Sequence, residues 1–158
     1  MTGGITTGIH FGLTSGVITT LGLIVGLHAG THSTLAVVGG VFTIAVADAL
    51  SDALGIHISK EAENTLSRGQ IWMATFATFA AKFVMAGMFL VPILLLPLAN
   101  AIMVSVGWGL LVLVVLSVRL ARIQKLSPLP VIAEHVGIGL AVVALTHLIG
   151  DWVAKGFA

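Results

Sequence analysis

The sequence predicts an all-α membrane protein: one domain over residues 1–158, a bundle of five transmembrane helices with the N-terminus cytoplasmic and the C-terminus outside. Three observations predict it. Of the 158 residues, 58% are hydrophobic and only 8% are charged, and the mean hydropathy is +1.14. So few charges could not solvate a water-soluble domain of this size. The apolar residues also fall into five stretches, each close to the about 20 residues that cross a bilayer as helix. Finally, the basic residues gather in alternate breaks between those stretches.

The first span runs from about Phe11 to Leu27 and is ended by the polar loop H-A-G-T-H-S-T. Glycines at 12 and 16, then at 22, 26 and 30, let another helix backbone approach closely. Packing inside the bundle and a dimer seam are both open for that stripe. The second span, about Leu35 to Ile58, stops at the most charged stretch, S-K-E-A-E-N-T-L-S-R-G-Q. The third covers about Ile71 to Leu95, with Pro92 expected to kink it and Pro97 to break it. The fourth, about Ala99 to Val118, is closed by R-L-A-R-I-Q-K-L-S-P-L-P, and the last runs from about Val131 to Val153.

Cytoplasmic loops are enriched in Lys and Arg. Lys60 and Arg68 fall between spans two and three, and Arg119, Arg122 and Lys125 between four and five, which puts five of the seven basic residues on one side. That side is read as the cytoplasm. The opening residues carry no Lys or Arg, so no cleaved signal peptide is expected. The absence of Cys excludes disulfides, thiolate metal sites and iron–sulfur ligation. A net charge of +1 gives no reason to expect nucleic acid as a partner.

Ionised groups in hydrocarbon are the informative ones, since each costs about 2.5–3.5 kcal/mol on insertion scales. Asp48, Asp52 and Lys82 are the three singled out. Asp48 falls near the middle of its span and Asp52 one turn toward the cytoplasm, on the same helix face. Two like charges so close do not both ionise cheaply, so one carboxyl is expected to hold a proton until a cation displaces it. The plain alternative is a buried structural pair, with Lys82 as the counter-charge.

Histidines form a second constellation. His10 and His57 belong to the cytoplasmic ends of their spans; His28, His32, His147 and Asp151 belong to the outer end. Both outer pairs have i, i+4 spacing, which stacks side chains on one face and suits coordination of a divalent metal. With the acid pair they form a ladder for a cation from one side to the other. Taken singly, each histidine also reads as an interfacial polar residue. Glu61 and Glu63 are candidates for cytoplasmic capture, or simply part of a solvated loop. Met73, Met85, Met88 and Met103 offer thioethers, although packing accounts for them as well.

These strings, in order, resemble the vacuolar iron transporter family. The first-span run G-L-T-S-G-V-I-T-T-L-G-L-I-V-G-L is similar to the family's N-D-G-(L/I)-V-T-T-x-G-(L/V)-V-x-G. The run D-A-L-S-D-A-L-G-I-H-I-S-K-E-A-E resembles its second-helix ending, S-M-A-x-G-E-(Y/F)-x-S. G-M-F-L-V-P-I-L-L-L-P resembles G-A-x-x-P-x-x-P, and A-L-T-H-L-I-G resembles A-x-T-Y-x-I-G. Gly16, Thr19, Thr20, Gly22, Gly26, Ser51, Gly55 and Ser59 match as they stand. Ser15 takes the place of the usual first-helix Asp and Thr14 that of the Asn before it. Asp52 stands at the second-helix Met, and Ile56 at the Glu of G-E-Y. Only about Lys60 to Gln70 remains where larger members insert a metal-binding domain.

The resemblance implies a five-helix protomer, a homodimer with the cation route near its two-fold axis, and proton-coupled export of Fe(II), Mn(II) or similar ions from the cytosol. The metal is then cargo, with no prosthetic group, and Asp48, Asp52, Ser15, His10, His57, His28, His32, His147 and Asp151 are the candidate ligands. The expected setting is the bilayer of a prokaryotic cell membrane. A non-transporting protein with a degenerate metal site, or a pathway for protons or monovalent ions, are the alternatives. An enzyme is not expected: no nucleophile has a recognisable base, and there is no phosphate-binding loop or cofactor motif.

Overall fold

The computed structural model describes residues 2–157, and these form helices joined by very short turns. They are α1 (Thr2–Thr31), α2 (Thr34–Glu63), α3 (Arg68–Met88), α4 (Leu90–Leu95), α5 (Leu98–Gln124) and α6 (Pro128–Phe157). No strand occurs among the described residues. With α3 and α4 counted as one broken span, five segments are long and apolar enough to cross a membrane.

The helices overrun the spans read from hydropathy at nearly every end. The stretch read as the first loop is mostly helix: α1 continues through His28 to Thr31, leaving only His32 and Ser33 between helices. Ser33 caps α2 by accepting the Ala36 N–H at 3.2 Å. Lys60, Glu61 and Glu63 likewise belong to the last turn of α2, not to a loop, and the link to α3 is residues 64–67. Arg119 and Arg122 lie on α5, which closes at Lys125 in the left-handed conformation, with Leu126 N–H reaching back to Ala121 O at 2.9 Å. Apolar content marks where hydrocarbon ends, whereas the backbone ladder runs on until a cap stops it.

The prolines act as expected. Pro92 has no N–H to give the Met88 carbonyl and its ring collides there. α3 therefore ends at Met88, Phe89 N–H turns to Ala86 O at 3.1 Å, and α4 begins at Leu90. Leu96, before Pro97, is extended.

α1 is the centre of the bundle, packing on α2, α3, α5 and α6. Its glycines pack within the chain, and they divide between two partners. Gly4, Gly8, Gly12 and Gly16 face α3, whereas Gly22, Gly26 and Gly30 face α6. A Cβ at Gly12 would stand 2.5 Å from Thr78 O, and one at Gly150 on α6 would stand 2.7 Å from Ala29 Cβ. The three parallel helices thus touch backbone to backbone.

The core gathers Val17, Leu21, Ile24, Val41, Phe89 and Leu113. Large apolar side chains also cover the outside, among them Phe42, Leu50, Leu54, Trp72, Phe76, Leu148 and Trp152. Such a surface suits a lipid solvent. Met85 is in the core while Met88 and Met103 face outward, so the thioethers do not converge on a common site. One exposed face of α2 departs from this pattern: Gly39, Thr43, Ala47, Ser51, Gly55 and Ser59, all small, run along it at four-residue spacing.

Candidate functional site

Three helices bring the intramembrane charges to one point. α2 buries Val37, Val41, Ala45, Ala49 and Ala53, so Asp48 and Asp52 lie on the flank of that seam, between it and the small-residue face. α3 packs on both α1 and α2 and directs Lys82 between them, leaving it 1% exposed. Each of these residues lies close to the midpoint of its span.

The Lys82 ammonium has three partners. Nζ stands 2.6 Å from Asp48 Oδ2, donates to Ser15 Oγ at 2.9 Å, and donates directly to Asp52 Oδ2. Ser15 Oγ then donates to the same Asp52 oxygen at 2.6 Å. The Asp48 contact is a close charge pair that is not aligned as a hydrogen bond, since its Oδ2 makes none. The carboxylates are not sealed: Asp48 and Asp52 keep 30% and 20% of their side chains exposed. With all three groups ionised, two negative charges meet one positive, leaving one charge unanswered. The arrangement is a cluster of one buried ammonium, two carboxylates and one hydroxyl.

The histidine ladder is only partly assembled. His57 Nδ1 pairs with Thr75 Oγ1 at 2.9 Å, and its ring lies edge-on to Trp72, centroids 4.6 Å apart. His10 does not join it. His57 lines a groove between α2 and α3, whereas His10 lines a cleft formed with α5 and α6. The cytoplasmic pair read from the sequence is therefore two separate positions. Residues at corresponding helix ends can still face different neighbours, α2 and α3 for His57 and α5 and α6 for His10.

At the other end, α1 and α6 run side by side, Gly26 against Thr146 and Gly30 against Gly150. This gathers His28, His32, His147 and Asp151. The His28 and His32 rings meet edge-on at 5.2 Å, His147 Nε2 lies 3.7 Å from Asp151 Oδ2, and His28 Nδ1 is buried without a partner. Even so, among the described residues no three His, Asp or Glu side chains converge as a ready metal site. Glu63 is held by Lys60 at 2.9 Å, leaving Glu61 as the unpaired member of the capture pair.

Sequence reading missed His135. It lies on α6, pairs through Nδ1 with Ser117 Oγ at 2.8 Å, and shares a cavity with His10. An imidazole inside the last apolar stretch was the available signal; its neighbours on α1 and α5 were not legible from spacing.

Fold and site together give a bundle of five segments long and apolar enough to cross a membrane, with a charged cluster near the midpoints of three of them. Comparison of the chain with protein families, curated proteins and solved structures gives no match.

Proposed function

We propose that the chain transports divalent metal cations of the iron or manganese class, with Asp48 and Asp52 as the ion-binding pair and Lys82 as a tethered stand-in for the cargo. The observation that carries this reading is the position of the ammonium, at the focus of two carboxylates and a hydroxyl midway through three spans. An incoming dication would displace it and answer the residual negative charge. Export from the cytosol in exchange for protons follows from the resemblance to vacuolar iron transporters; the orientation with the N-terminus inside follows from the basic residues between spans two and three and between four and five. The small-residue face of α2 beside the acids suits a second copy of the chain. In such a homodimer, two acid pairs would line a shared path.

One observation favours a second reading. Lys82 is buried with three partners, which also describes a permanent clamp in a protein that kept the architecture and lost the ion. Flux into liposomes containing the purified protein, tested with Fe(II), Mn(II), Co(II) and Zn(II) under a proton gradient, separates the two. Metal uptake lost in Asp48→Asn and Asp52→Asn supports transport. Proton flux alone makes the cluster a proton pathway, and silence in every assay leaves the clamp.

A further inference from the structure

On a different flank of α1 from the charged cluster, a cleft of about 230 Å³ is lined by His10, Thr14 and His135 together with Leu113, Leu116 and Leu120. Thr14 and Ser15 are consecutive, about 100° apart around the helix. Ser15 faces the carboxylates, and Thr14 faces this cleft. The two polar sites thus lie on different faces of α1. In an apolar wall the imidazoles are the groups that need an account.

The hydrogen bond between His135 and Ser117 bears on which histidine nitrogen is available. Ser117 has one proton, and it gives that proton to Leu113 O at 2.6 Å. With that proton donated to Leu113 O, the Ser117 oxygen is the acceptor for His135 Nδ1 at 2.8 Å, the tautomer in which Nδ1 carries the hydrogen. A neutral imidazole so held carries its lone pair on Nε2. Among the described residues nothing hydrogen-bonds to His135 Nε2 or to the His10 ring. Metal-ligating histidines are oriented in this way, one ring nitrogen donating to a fixed acceptor so that the other is presented as a base.

We infer that this cleft binds one borderline divalent cation of the zinc, nickel or cobalt class, through His135 Nε2 and the His10 imidazole, with Thr14 and water completing the shell. Two imidazoles in an apolar wall select such ions over Mg(II) or Ca(II), which take oxygen ligands. The site is separate from the acid pair, and it stands whether or not the protein transports metal.

Zn(II) titration of the purified full-length protein by calorimetry tests it. His10→Ala and His135→Asn each remove the same one equivalent of Zn(II), and the double variant loses no more. The Asn amide nitrogen can stand in for Nδ1 against Ser117, so His135→Asn keeps the structural hydrogen bond while deleting the ligand. Asp52→Asn and His147→Ala retain the equivalent. Ser117→Ala weakens it at least about tenfold, as loss of an orienting partner does, and in metal-free protein the ¹⁵N shifts show His135 bare at Nε2. Unchanged stoichiometry and affinity in both histidine variants, or loss of two separate equivalents in the double variant, overturns the assignment. Absence of metal flux in liposomes bears only on the acid pair.

Discussion

Lys82 reaches Asp52 twice, once directly and once through the Ser15 hydroxyl, which accepts from the ammonium and donates to the carboxylate. Asp48 is held by charge alone. The two acids are therefore unequal: Asp52 is built into a network across three helices, and Asp48 is the one free to change partner.

Replacing Lys82 by Met removes the tethered cation and leaves two carboxylates facing each other. Breaking a fully buried pair costs about 3–5 kcal/mol; the partial exposure of the acids puts this case at or below the lower end. Thermal unfolding in detergent should show that loss, and Mn(II) should restore part of it in the variant and less in the parent. A variant as stable as the parent, with no response to Mn(II), would sink the displacement idea.

Ser15→Ala deletes the bridge and should lower stability by about 1–2 kcal/mol, the cost of leaving hydrogen-bonding groups short of a partner. Ser15→Asp puts a third carboxylate beside the ammonium. Mn(II) binding, followed by electron paramagnetic resonance, is expected to tighten at least about tenfold relative to the parent, as a further anionic oxygen ligand favours a hard dication. Weaker binding would mean that Lys82 is not displaceable.

Gly12→Ala should destabilise by about 1–3 kcal/mol through overpacking, because a methyl there meets both Thr78 O and Ala81 Cβ. Gly107, with open space around it, is the control, and Gly107→Ala should be neutral or slightly stabilising. Equal melting temperatures for the two variants would contradict the close α1–α3 contact.

Because the chain has no cysteine, single-cysteine variants report orientation without background. Thr65→Cys and Ser127→Cys, in the two basic turns, should react with an impermeant maleimide only from the cytoplasmic side, and Thr34→Cys only from outside. The opposite pattern would invert the direction of transport proposed above.

Hydropathy and the spacing of breaks were enough to place all five spans, and the rarity of charge in hydrocarbon pointed to Asp48, Asp52 and Lys82 without any coordinates. Their depth along each helix was readable because a helix rises evenly. Which flank a side chain occupies was not readable beyond its own helix. His10 and His57 share a level and face different cavities. The glycine stripe of α1 reads as one motif and serves two neighbours in turn. Ser117 and His135 meet because α5 and α6 pack together, which no local pattern encodes. Helix ends were misplaced for a separate reason: caps at His32, Asn64 and Lys125 use left-handed backbone at non-glycine residues, so the usual glycine stop signal is missing.

The change of partner along α1 gives its two halves different close neighbours. Its lower half meshes with α3 and its upper half with α6, each without side chains thick enough to act as bearings. The two tracks meet between residues 16 and 22, where one ends and the other begins. The acid pair held by Lys82 of α3 and the His28 and His147 end thus lie beside two different glycine contacts of one helix.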